Sequence, residues 1–269
     1  MARPITFLSD YGHADGFDGV CRAVIARIAP DAAITDLSHG VDRHHVRQGA
    51  LILARSLPFA APGVHLAVVD PGVGTERLAV AIRTKDEDRL FVGPDNGLLT
   101  PAAERFGGVA EAVDIGASAF ALDPISATFH GRDVFAPVAA RLAAGAVLAE
   151  AGAPVDPAGL VELDLPRFEV GDGQIRCHVA YLDGFGNATL NIDGGDVANA
   201  FDPAAERFSV IAGQVEVTLP LSRTFADVDS GQALLLTGSS GMVVLAVNQG
   251  SAADRFSLGE DAEILLRLA

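Results

Sequence analysis

The stretch VVDPGVGTER, Val68–Arg77, sets an aspartate and an arginine seven residues apart around two glycines. Glycine tolerates positive φ and a tight return of the chain, so Asp70 and Arg77 can face each other across this loop. Taken alone they read first as a structural ion pair, and alternatively as a carboxylate and guanidinium presented to a ligand. A second stretch, SATFHGRDVFAP at 126–137, puts His130, Arg132 and Asp133 at the mouth of a helical pattern. His130 serves there as a turn residue or as a general base, its ordinary pKa of about 6.5 lying close to working pH. Arg132 and Asp133 read as a structural pair anchoring the helix start. A third stretch, LDGFGNATLNI at 182–192, carries Asp183, Phe185 and Asn187 between strand-like runs. A hairpin turn accounts for its two glycines. An acid, an aromatic and an amide also suit an ammonium, a stacked base and a base edge. TGSSG (237–241) and VNQGSAA (247–253) repeat small polar residues beside strands, where backbone amides can read a purine edge.

Other chemistries lack their signatures. Neither GxGxxG, a terminal GK[ST] nor GxSxG occurs, which removes the dinucleotide fingerprint, the phosphate loop and the nucleophile elbow. His44 and His45 are adjacent, about 100° apart on a helix, and His13, His39, His65 and His178 show no ligand spacing, so no metal site is expected.

The elements that must position these residues follow from hydrophobic periodicity. ITFLSD (5–10), AITDLS (33–38), VHLAVVD (64–70), LAVAIRT (78–84) and RLFVGPD (89–95) read as strands. FDGVCRAVIARIAP, RHHVRQGALILARSL and VFAPVAARLAAG read as amphipathic helices, the last ending near Gly145. This alternation predicts a mainly parallel sheet covered by helices, with ligands at the carboxyl ends of the strands. Asp10, Asp36, Asp70 and Asp95 close strand-like runs or follow them, which would gather four acids on one rim; turn initiation explains each alone. Residues 145–163, rich in Ala, Gly and Pro, read as a linker. QIRCHVAYLD, NATLNI, QVEVTL, ALLLTG, MVVLAV and AEILLRL then predict a small β-sandwich or barrel. The expected organisation is an α/β N-terminal domain with a mainly parallel sheet over 1–163 and a smaller, mostly-β C-terminal domain over 164–269.

Composition narrows the function classes. The 269 residues are 49% hydrophobic, enough for a substantial core, yet no apolar run reaches the roughly 18–20 residues of a membrane span. The opening MARPITFLSD meets Asp10 too early for a signal peptide, so a soluble cytoplasmic protein is expected. A net charge of −16 without clustered Lys and Arg argues against a nucleic-acid partner. Cys21 and Cys177 lack ligand spacing and read as free buried thiols.

Taken in order, FLSDYG, VVDPGVGTER, GPDNGLLT, TFHGRDVFAP, DGFGN, GSSG and VNQGSAA resemble the S-adenosyl-L-methionine hydroxide adenosyltransferases, or SAM hydrolases, relatives of fluorinating and chlorinating enzymes. The resemblance covers almost the whole chain. It implies attack of water or hydroxide on C5′ of the ribose, giving adenosine and methionine without cofactor or metal. Asp70, Arg77 and His130 match the water-activating set, which the halogenating relatives do not retain. Asp10 matches the ribose-hydroxyl ligand, Asp183 the acid that meets the methionine ammonium, and Asn187 the amide near adenine beside Phe185. Ser239 matches a methionine-end contact, and the backbone from Val247 to Gln249 the adenine-edge strand. A homotrimer with its pockets between subunits is also implied. The rival readings are a halogenating transferase, a non-catalytic adenosine- or SAM-binding module and a metal-dependent phosphohydrolase.

Overall fold

The structure, a computed structural model, describes residues 2–269. The chain forms two compact units, the first ending at Asp164 and the second spanning Leu165–Ala269.

In the first unit, seven strands form one sheet: β1 (Ile5–Ser9), β2 (Ile34–Ser38), β3 (Val64–Val68), β4 (Ala79–Thr84), β5 (Leu90–Pro94), β6 (Val109–Asp114) and β7 (Ala153–Val155). The helices are α1 (Phe17–Ile28), α2 (Val46–Ser56), α3 (Thr100–Glu104) and α4 (Ala136–Ala143). Strand order is β2-β1-β3-β5-β4-β6-β7. Only the β2-β1-β3-β5 portion is parallel, whereas β4, β6 and β7 run antiparallel to their neighbours. The mainly parallel expectation is therefore corrected to a mixed sheet. The cause is legible in the connection from β4 to β5, which spans only residues 85–89. A parallel crossover needs a dozen or more residues, so this pair can only be antiparallel.

The core sits on both faces of the sheet. Ile5 and Phe7 of β1 pack with Cys21, Val24 and Ile25 of α1 and with α4, while Leu8 turns to the opposite face against Ala50 and Leu53 of α2. The period of two along the strand meets the three- and four-residue spacing of the helices, which is why these strands read as unbroken apolar runs. His65 lies within this core, bonded through Nδ1 to Thr6 Oγ1 at 2.9 Å and accepting from Arg89 Nη1 at Nε2 over 3.2 Å. Burial and then the Arg89 charge push its pKa down to about 3, so it is a neutral structural residue.

The expected linker at 145–163 is not one. β7 pairs with β6, Leu160 enters the core, and the Val161 N–H donates to Asp95 Oδ1 at 2.9 Å. Leu148 and Leu160, buried among many small residues, anchor the segment together with this backbone bonding, a mode that leaves little periodic signal.

The second unit contains β8 (Glu169–Gly171), β9 (Gln174–Leu182), β10 (Ala188–Asp193), β11 (Arg207–Ala212), β12 (Val215–Ser222), β13 (Ala233–Thr237), β14 (Met242–Val247) and β15 (Glu263–Leu268). Two short helices, α5 (Gly194–Ala200) and α6 (Ala252–Phe256), accompany them. The order β10-β14-β13-β12-β11-β15-β9 closes through a β9–β10 pairing into a seven-stranded barrel, with β8 added beside β9. Closure leaves the strands few free edges. The expectation of a sandwich or barrel thus resolves to a barrel.

Candidate active site

In the first unit the ends of parallel strands β1 and β3 open on a cavity of about 620 Å³ whose lining includes Asp10, Tyr11, Asp70, Phe129 and Gly131. Asp70 follows β3 by two residues. The return loop after it is closed by Val73 N–H to Asp70 O at 3.3 Å and Thr75 N–H to Gly72 O at 3.1 Å. Gly74 adopts φ 78°, and a Cβ there would lie 2.7 Å from Ala127 O. That close approach joins the loop bearing Asp70 and Arg77 to the loop leading to His130.

Arg77 then reaches back across its own loop. Its Nε donates to Asp70 Oδ1 at 2.9 Å, and its Nη2 donates to Asp70 Oδ2, making a bidentate fork. The same Nη2 lies 3.0 Å from His130 Nδ1. The Phe135 ring backs the guanidinium at 5.3 Å. Asp70 and Arg77 are nearly buried, their side chains 6% and 11% exposed. Because a guanidinium only donates, Nδ1 of His130 must accept, which leaves the proton of the neutral ring on Nε2. Burial first, and the Arg77 charge second, hold the His130 pKa below its ordinary 6.5. The ring is neutral at pH 7.

His130 precedes a π-helical turn, Gly131–Phe135, that runs into α4. Such turns concentrate at functional sites. Arg132 forks onto Asp133 at 2.6 and 2.8 Å, and buried Asp133 also accepts the Ser126 N–H at 2.9 Å. This pair braces the loop on both sides of His130.

Of the four acids expected on one rim, the cavity takes two. Asp10 and Asp70 line it, with Asp10 Oδ2 accepting the His44 N–H at 2.8 Å. Asp36 lies inside β2, bonded to Arg22 and 3.3 Å from His39 Nε2. Asp95 is taken by the Val161 N–H.

In the second unit, Asp183 Oδ1 accepts the N–H groups of Phe185 at 2.9 Å and Asn187 at 3.0 Å, while Oδ2 accepts Asn187 Nδ2 at 2.9 Å. Phe185 at the tip is 82% exposed. This β9–β10 turn abuts the segment after β14, since Ala253 N–H donates to Gly186 O at 2.9 Å. Asp183, Phe185 and Asn187 therefore share a rim with buried Val247 and with Gln249, whose φ is 55° and whose Oε1 accepts from Ser230 Oγ at 2.9 Å. Ser239 does not join them. It is exposed in the β13–β14 turn, at the other end of β14.

Two family models match the chain, the SAM hydroxide adenosyltransferase N-terminal domain over residues 5–152 and its C-terminal domain over residues 177–265. The chain belongs to this family. A relative from Salinispora tropica, named (R)-S-adenosyl-L-methionine hydrolase, is 45% identical over 250 residues, covering 93% of this chain and 92% of its own. One of the same name from Thermus thermophilus is 37% identical over 279 residues, covering 98% and 99%. A crystal structure of an uncharacterized conserved protein from Thermotoga maritima superimposes with a TM-score of 0.91 at 37% identity, covering 98% of this chain and 99% of that one. Fluorinases match more distantly, at 26–28% identity.

Further residues that motif reading passed over also border this cavity. Tyr11, Asp15, Phe17 and Arg43 line the same cavity, and the N–H that holds Asp10 comes from His44. Tyr11 was visible as the aromatic in FLSDYG. Phe17, inside an amphipathic helix pattern, carried no signal that set it apart from a core residue. No helix among the described residues is long and apolar enough to cross a membrane.

Proposed function

We propose that the chain hydrolyses S-adenosyl-L-methionine, in its R sulfonium form, to adenosine and L-methionine. The observation that carries this reading is the hydrogen-bonded Asp70–Arg77–His130 set beside the cavity, in a chain whose relatives at 45% and 37% identity are named for that hydrolysis.

Water attacks C5′; the C5′–O bond forms as the C5′–S bond breaks, and the electron pair leaves with sulfur as the neutral thioether of methionine. That leaving group needs no general acid, so the residues serve the nucleophile and its alignment. As the C–O bond forms, the water protons become strongly acidic, and an ordinary carboxylate suffices as acceptor. Asp70 takes this proton. It faces the cavity, and each carboxylate oxygen keeps a lone pair beyond the one given to Arg77. Arg77 fixes the carboxylate and holds His130 in the tautomer whose Nε2–H orients the oxygen. A carboxylate and a sulfonium lose their charges together, which a water-poor cavity favours.

Asp10 receives the ribose diol, Asp183 the methionine ammonium, and Phe185 and Asn187 the adenine, whose edge meets the Val247–Gln249 backbone. Asn187 spends one Nδ2 hydrogen on Asp183 and keeps its Oδ1 for an exocyclic amine. For Ser239, a methionine-end contact rests on the resemblance alone. The homotrimer and a cytoplasmic location belong to the same proposal; light scattering at three times the 27.7 kDa chain mass supports the trimer, and a monomer mass overturns it.

The test is chromatography after incubation with separated R and S sulfonium epimers, without added metal or halide. Adenosine and methionine forming together, faster from the R epimer, support the reading. No product, or a 5′-halogenated adenosine once halide is supplied, overturns it.

Two further outcomes follow from the geometry. The acid limb of kcat/KM lies below pH 6.5, because the lowered His130 pKa keeps the ring neutral there and activity falls only as pH drops through that lower value. The folded state binds fewer protons than the unfolded chain in this window, so stability also declines with falling pH. A rate–pH profile together with melting curves checks both. At Gly131 a Cβ would lie 2.0 Å from Tyr11 Oη. Gly131→Ala therefore displaces Tyr11 or the turn next to His130, with kcat/KM expected to fall roughly 10- to 100-fold by steady-state kinetics.

A further inference from the structure

One wall of the cavity carries chemistry that the hydrolytic set does not use. Tyr11 comes from the loop after β1, Phe17 from the first turn of α1, and Phe129 from the loop before the π-helical turn. Their ring centroids lie 5.3–6.0 Å apart and their planes are inclined by 55–83°, so the faces point in different directions. Phe17 remains 44% exposed although it borders the cavity. Phe129 already carries a cation, the Arg132 guanidinium standing 5.0 Å over its ring while Asp133 balances the charge. The lining also holds Asp10, Asp15 and Asp70 together with Arg43 and Arg132, so charged groups of both signs border the rings.

We propose that Tyr11, Phe17 and Phe129 form the surface that receives the sulfonium and its S-methyl group. This rests on the sulfonium substrate proposed above. A sulfonium has no N–H or O–H to donate, so carboxylates cannot hydrogen-bond it, and the negative faces of aromatic rings are the matching partner. The sulfur is bonded to the carbon under attack and must lie close to the Asp70 set. The wall does so through the chain itself: Phe129 precedes His130, and Gly131 after it abuts the Tyr11 hydroxyl. The sulfonium charge fades in the transition state, so the attraction acts on ground-state binding more than on the chemical step.

The test uses the full chain with Asp70→Asn, which suppresses turnover, and equilibrium calorimetry with S-adenosyl-L-methionine and its neutral thioether, S-adenosyl-L-homocysteine. The sulfonium is expected to bind more tightly than the thioether. Phe17→Leu and Phe129→Leu should each shrink that ratio roughly three- to tenfold, with Phe17→Tyr restoring it. A ratio unchanged in both leucine variants, including one where both affinities drop alike, overturns the proposal, as does no preference for the sulfonium at the outset. If the unsubstituted protein releases no adenosine, the hydrolysis reading fails instead, while the ratio still reports on the wall.

Discussion

Asp70→Asn is expected to lower kcat by roughly 10²- to 10⁴-fold, the span that a positioned general base contributes. Asparagine keeps the size of the side chain and one acceptor oxygen for Arg77, so the loop closed by Val73 and Thr75 has no cause to open. What disappears is the capacity to take the proton as C–O bonding makes it acidic, and the negative charge that meets the sulfonium. Adenosine is neutral and should still bind Asp70→Asn measurably, which separates lost chemistry from lost structure. Single-turnover kinetics beside adenosine titration makes the comparison. Turnover within a few-fold of the unsubstituted protein would remove Asp70 from the mechanism.

Arg77→Met strikes two partners at once. The carboxylate loses its fork and His130 Nδ1 loses its donor, so neither the acceptor nor the tautomer is fixed. The expected loss in kcat is roughly 10²- to 10³-fold, typical of removing one preorganised electrostatic group. The pH profile should move as well. With the guanidinium gone, one cause of the depressed His130 pKa is gone, and the acid limb shifts upward, while burial, the larger cause, remains. Arg77→Lys returns the charge without the planar fork, so it should restore much of the limb position and little of the rate. Rate–pH profiles of the three proteins decide it: an unmoved limb in Arg77→Met would show that Arg77 does not act on His130.

Much of this site could be read in the chain because local chemistry fixes it. The glycines of VVDPGVGTER force a return that places Arg77 on Asp70, and the DGFGN turn locks Asn187 onto Asp183 within five residues. What joins His130 to that pair is long-range: the sheet must bring β3 beside the entrance to α4, and no local pattern measures that distance. The antiparallel half of the sheet could have been deduced from the five-residue connection after β4, since length alone excludes a crossover. The 145–163 segment could not, because Leu148, Leu160 and a few backbone bonds hold it where apolar periodicity is absent. Likewise Asp36 and Asp95 share the sequence context of Asp10 and Asp70, yet Asp36 lies within β2 beside Arg22 and His39 and Asp95 accepts the Val161 N–H, placements that no local pattern encodes.

The most direct measurement is hydrolysis of R-S-adenosyl-L-methionine in ¹⁸O-labelled water, with mass spectrometry of both products. Attack of water on C5′ puts one ¹⁸O on the 5′-hydroxyl of adenosine and none in methionine. Unlabelled adenosine, or label carried by the methionine fragment, would mean that the bond is broken elsewhere and that the Asp70–Arg77–His130 set does not deliver water to C5′.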